Sequence, residues 1–209
     1  AILKLINSDQ IADTSLITLN GSGASAGILR LNNKNETIGG LISTGGAGIV
    51  ENESGATGTA TLTVNVDSGA LTFSGILRNG DGTGTDGTLA LIKSGLGTLT
   101  LSGTTNGWTG DTTFAVGGGT IKLGSGTAIP DGTGKGNLVT TNGTVDMNGF
   151  SETVNGLTGT GIVDNLLTVT TSTLTVGANN TTSSFGGTIQ NTVGTVALSK
   201  TGSGTQTLT

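Results

Sequence analysis

The chain has 209 residues, of which 40 are glycine and 1 is proline, with 10% charged and 2% aromatic residues and no Cys, His or Tyr. Without His and Cys, no Ser-His-Asp triad, Cys-His dyad, zinc finger, iron–sulfur cluster or disulfide framework can be built. A net charge of −5, with 8 Lys and Arg scattered singly, offers no basic stripe to a phosphate backbone, so nucleic acid is not an expected partner.

Low charge and a mean hydropathy of +0.13 argue against disorder, which usually joins low hydrophobicity to high net charge. No run approaches the roughly 18 continuous apolar residues of a membrane-spanning helix, so membrane insertion of this segment is not expected. Residue 1 already sits in a strand-like run, and the chain reads as lacking a signal peptide.

Short segments alternating apolar and small polar residues recur along the chain. In order they include Leu3-Lys4-Leu5, Leu29-Arg30-Leu31, Leu62-Thr63-Val64-Asn65-Val66, Leu71-Thr72-Phe73 and Leu99-Thr100-Leu101. Ile121-Lys122-Leu123, Val145-Asp146-Met147, Leu167-Thr168-Val169 and Leu174-Thr175-Val176 follow. A period of two places the apolar set on one face of a strand, and no window holds a helical period. Asn20-Gly21, Asn79-Gly80, Asn142-Gly143, Asn148-Gly149 and Asn155-Gly156 supply tight corners. An all-β chain of short strands is predicted.

The chain nearly repeats itself once. Leu3-Lys4-Leu5 returns as Ile121-Lys122-Leu123, a shift of 118, and Glu36-Thr37-Ile38 returns as Glu152-Thr153-Val154, a shift of 116. Thr61 to Val64 return as Thr173 to Val176 and Phe73 returns as Phe185, both at 112, while Lys93-Ser94-Gly95 returns as Lys200-Thr201-Gly202 at 107. Strands persist while corners shrink, as a solenoid permits. Residues 1–118 form the first repeat unit and residues 119–209 a second, truncated one continuous with it. The second lacks a counterpart of Gly103–Gly118, so the chain reads as just under two units of a longer tandem array.

Leu91-Ile92-Lys93-Ser94-Gly95-Leu96-Gly97-Thr98-Leu99-Thr100-Leu101-Ser102-Gly103, then Asn106-Gly107-Trp108-Thr109-Gly110 and Gly119-Thr120-Ile121-Lys122-Leu123, resemble the autotransporter passenger-associated β-strand repeat. Trp108 stands where that pattern usually has Tyr, and Gln206 puts an amide where an inward Leu is usual. The resemblance implies a right-handed parallel β-helix in the surface-exposed or secreted part of a large bacterial protein, where such passengers serve as stalks, adhesins or fibres. The composition agrees, since a narrow column needs few apolar residues. Roughly 20 residues per coil would give about ten coils and a rod of about 50 Å. An antiparallel sandwich of Asn-Gly hairpins is the other fold the turns allow, but it does not explain strand order that repeats while loops vary.

Candidate sites are few. Asn79-Gly80-Asp81-Gly82-Thr83-Gly84-Thr85-Asp86-Gly87 has the oxygen-rich spacing of a Ca²⁺ loop, but it lacks the tandem nonapeptide, and a protruding turn is the favoured reading. Glu51 and Glu53 flank Asn52 as a carboxylate pair in the glycosidase sense, and are read as a solvated turn. Trp108 is expected to pack over a coil edge rather than stack on sugar, and Phe73 and Phe185 to lie in the core. Thr-x-Thr stretches such as residues 59–63 and 171–175 are read as β-propensity rather than an ice-binding ladder.

No catalytic, cofactor-binding or metal-ligating residue is assigned, and no cofactor is expected. The expected function is non-catalytic: a rigid stalk or fibre segment of a bacterial surface or secreted protein. Its expected partner is itself, because uncapped solenoid ends, with Leu208 of one chain against the Leu3 strand of another, template head-to-tail filaments. The alternative is an adhesin or carbohydrate-active surface domain whose lateral face meets glycans or host and matrix proteins.

Overall fold

Strands of two to seven residues are too short to bury an apolar face alone, and here they do so by stacking. The computed structural model describes every residue except 22–24, 45, 46, 56 and 84. The first turn contributes β1 (Ile2–Lys4) and β2 (Leu16–Asn20), the second β3 (Ile28–Arg30), β4 (Glu36–Ile38) and β5 (Gly40–Thr44). The third holds β6 (Ile49–Glu51), β7 (Thr59–Asn65) and β8 (Ala70–Phe73), the fourth β9 (Ile76–Arg78), β10 (Thr88–Ser94) and β11 (Thr98–Leu101). Then come β12 (Thr112–Phe114) with β13 (Thr120–Leu123), and β14 (Leu138–Thr140) with β15 (Thr144–Asp146). The seventh turn is β16 (Glu152–Val154), β17 (Leu157–Gly159) and β18 (Ile162–Asp164), the eighth β19 (Thr171–Val176), β20 (Ser183–Phe185) and β21 (Thr188–Ile189). A closing partial turn carries β22 (Thr195–Lys200) and β23 (Gln206–Leu208).

Every ladder between these strands is parallel and in register, which excludes the antiparallel sandwich. The molecule is a parallel β-solenoid with three faces. Face one carries β1, β3, β6 and β9, and later β16, β19 and β22; face two is an eight-stranded sheet from β4 to β23; face three carries β2 and β5, then β8, β11, β13, β15, β18 and β21. Eight strands in the longest sheet make about eight turns rather than the ten expected. The corners account for the difference: Leu157 pairs Leu138, 19 residues back, but Leu91 pairs Leu62, 29 back.

Inward side chains stack turn upon turn. On face three Leu71, Leu99, Ile121 and Val145 form one file, and Phe73, Leu101 and Leu123 the next. On face two Ile38, Val64, Lys93 and Phe114 line up, with Phe185 further along. Most of these are fully buried, and each buried Leu or Phe contributes about 2 kcal/mol by leaving water.

The two repeat units correspond down to single hydrogen bonds. Asn32 Nδ2 donates to Leu5 O at 2.9 Å and Asn148 Nδ2 to Leu123 O at 2.8 Å, both residues holding positive φ at a corner. Asn52 Oδ1 accepts from Asn33 N while its amide donates to Thr88 O; Asn165 does the same with Gly149 N and Thr195 O. Yet β1 stands on face one and its counterpart β13 on face three, so one unit spans about four and two-thirds turns. This offset places β7 on face two and its counterpart β19 on face one, so the Thr-x-Thr stretches do not align into one array.

One expected strand is a turn. Leu167-Thr168-Val169 alternates correctly, but the fully buried Asn165 closes the corner there, accepting from Leu167 N and donating to Thr170 O. Val169 is left fully exposed at φ +59°, a left-handed conformation that β-branched residues resist.

The repeat also locates a flaw in the column. Ser172, fully buried on β19, has no partner for its hydroxyl, and its counterpart on β7 is Ala60. Ser172→Ala is expected to raise unfolding free energy by about 1 kcal/mol, measured by denaturant titration.

Candidate functional site

Parallel register brings outward side chains of successive turns about 4.8 Å apart, so charges recur along a face as ladders. On face one Arg30, Glu51 and Arg78 occupy the same spot of three turns. Glu51 is sandwiched: Oε1 accepts from Arg30 Nε and Nη2 at 2.9 and 2.7 Å, and Oε2 from Arg78 Nε and Nη2 at 3.1 and 2.7 Å. Glu53 adds a second carboxylate on Arg30 at 2.8 Å. The expectation of a solvated turn is therefore corrected for Glu51. It ends a strand at 0% exposure, covered by the only two arginines in the chain. Its spacing to Arg30 and Arg78 becomes visible only once the turn length is known.

The equivalent ladder of the second unit lies on face three and reads Lys122, Asp146, Asp164, with Gln190 hydrogen-bonded to the last. Lys122 Nζ stands 4.0 Å from Asp146 Oδ2. Thr72, Thr100 and Lys122 floor a groove of about 540 Å³ walled by Asp146 and Leu166. Both carboxylates are engaged by their own corner and by the next turn. Asp146 Oδ1 accepts from Asn148 N and Leu166 N, while Asp164 accepts from Asn165 N, Thr192 N, Thr192 Oγ1 and Gln190 Nε2. The groove therefore presents threonine hydroxyls beside an ammonium ion-paired to Asp146, chemistry suited to hydrogen-bonding a polar ligand.

The remaining candidates are local structure. In the 79–87 segment Asp81 accepts from Thr83 N and Oγ1, and Asp86 from Gly82 N; Gly84 lies outside the described residues. Among the described residues no three Asp or Glu side chains gather closely enough to hold a metal. Trp108 is 1% exposed and donates from Nε1 to Thr112 Oγ1, so it packs as expected, and Phe73 and Phe185 are core. Gln206 has a role that its place in the repeat does not announce. Its amide pairs both Leu157 N and Leu157 O, two turns back, where the β17–β20 ladder narrows to a single pair.

Lys93 and Glu152 are buried charges that were not singled out from the sequence. Lys93 points into the column, its Nζ donating to Ser94 O at 2.5 Å and Gly95 O at 2.8 Å. Gly95 makes this fold-back feasible, since its φ is +73° and a Cβ there would stand 2.4 Å from Val66 O. Lys200 repeats the contact with Thr201 O and Gly202 O. Glu152 accepts from Ala128 N and Ile129 N, stitching the turn before it, as Glu36 does with Gln10 N and Ile11 N. Burial depresses Lys93 to about 8 and lifts Glu152 to about 7, the latter against the pull of its amide donors.

No protein-family model, no curated protein and no solved structure matches this chain.

These two groups set opposite slopes of stability with pH. Between about 4.5 and 7 folded Glu152 binds more proton than the unfolded chain, so stability falls as pH rises. Between about 8 and 10.5 the unfolded chain binds more proton at Lys93, so stability rises with pH. Melting temperatures across pH 4 to 11 should therefore pass a minimum near neutrality, with Glu152→Gln flattening the acid limb and Lys93→Met the alkaline one. Separately, Glu51→Ala is expected to lose about 3 kcal/mol by leaving Arg78 unpaired and Arg30 with Glu53 alone, and Glu53→Ala less than about 1 kcal/mol, by chemical denaturation.

Proposed function

We propose that this chain is a non-catalytic structural element. It is a rigid stalk or fibre segment of a bacterial surface or secreted protein of the autotransporter-passenger kind, built to continue its column end to end with further units. The observation that carries this reading is what the two units share and what they do not. Common to both are the inward files and the seams: Asn32 and Asn148, Asn52 and Asn165, Glu36 and Glu152, Lys93 and Lys200. Outward groups differ: Arg30, Glu51 and Arg78 become Asp146, Asp164 and Gln190, and a corner containing Glu53 and Ser54 becomes Leu166-Leu167-Thr168-Val169. A molecule whose use lies in its length keeps the first set and lets the second vary.

A second reading, adhesion to a glycan, draws on the groove beside Lys122, with its threonine hydroxyls. The two are separated by imaging and binding. Tandem concatemers of the chain should appear in electron micrographs as straight rods lengthening by about 38 Å per copy, the rise of eight turns. Flexible beads would end the stalk reading. Retention of a glycan on an array, lost in Lys122→Ala, would establish adhesion. Immunogold labelling of intact bacteria carrying the full-length protein should decorate the cell surface.

A further inference from the structure

The first turn of the column is open. Ile2, Leu3 and Leu16 are 54%, 50% and 51% exposed, and with Ile17 and Leu19 they line an apolar groove of about 360 Å³ beside the free edge of β2. The same place in the second unit is filled, and the filling identifies the occupant. Ile17 pairs Leu41 as Leu138 pairs Leu157, so β14 is the counterpart of β2. Seated on β14 is β12, in the register Thr112 to Leu138 and Phe114 to Thr140. The corner before β12 buries Trp108 and ties its indole to Thr112, and both Trp108 and Phe114 are 1% exposed. Residues 103–118 thus close one unit and cover β14, the second strand of the next.

We propose that the groove at β2 is the seat of such a closing segment, a stretch with the residue pattern of Gly103–Gly118 belonging to a preceding repeat unit. Its strand adds in parallel to β2 as β12 adds to β14. Its phenylalanine covers Leu19, the counterpart of Thr140, and its threonine covers Ile17, the counterpart of Leu138. Apolar Leu19 in place of Thr140 makes this seat the drier of the two. The inference rests on the tandem-unit reading above, and it names which residues form the joint.

The test extends the intact chain. A second copy of residues 103–118 is placed directly ahead of Ala1, as residues 103–118 directly precede Gly119, the counterpart of Ala1. Hydrogen exchange should show the edge-facing amides of β2 slowed by about tenfold or more, and the melting temperature should rise. In a Trp108→Phe background the added tryptophan, then the sole one, should emit as a buried indole. An extension whose phenylalanine is replaced by Asp should lose both effects. Unchanged exchange at β2 with a water-exposed indole would overturn the proposal. Exchange in the wild-type background decides the matter even where Trp108→Phe is unstable. Straight concatemer rods together with an unseated extension would leave the stalk standing and refute only this joint.

Discussion

Everything in this molecule depends on the parallel, in-register main-chain ladder. Once each turn must hydrogen-bond to the one beneath it residue for residue, an inward position in one turn forces an inward position in all. The column is therefore assembled from files, Leu71 to Val145 on one face and Ile38 to Phe114 on another. Two of the polar residues in the files repair the ladder. Lys93 folds onto two corner carbonyls, and the Gln206 amide replaces pairing that β17 and β20 do not make. Ser172 repairs nothing.

The corners obey a different rule. Where the backbone turns, amides and carbonyls leave the ladder, and buried ones must find other partners. Asn52, Asn165 and Asn106 do this by bridging turns; Asn106 accepts from Leu77 N and donates to Ala128 O. Glu36 and Glu152 do it with carboxylates held on pairs of amides. This explains how corners differ in length without disturbing the strands. Each is fastened to its neighbours through particular side chains, so its length can change without moving the strands it joins.

Much of this was legible in the residues. The period of two, the lack of helical windows and the shifting repeat lead to stacked strands, and the return of Phe73 as Phe185 places both in the core. What was hidden is whatever depends on turn length. Glu51 meets Arg30 and Arg78 only because 21 residues separate one pair of partners and 27 the other, values set by the corners between them. Leu167-Thr168-Val169 carries the strand alternation, yet a single Asn upstream outweighs it. Alternation specifies that a segment could pair, and the corner decides whether it does.

The fractional turn count of the unit has a consequence for anything that touches the column from outside. In an array of such units, the two-thirds of a turn left over would point each successive matching patch a third of the way round the axis, as Arg30–Glu51–Arg78 and Asp146–Asp164 already do. The same bearing returns only after three units, fourteen turns, or about 67 Å. A column of this design has no front and no back, and would meet its surroundings equally from every side.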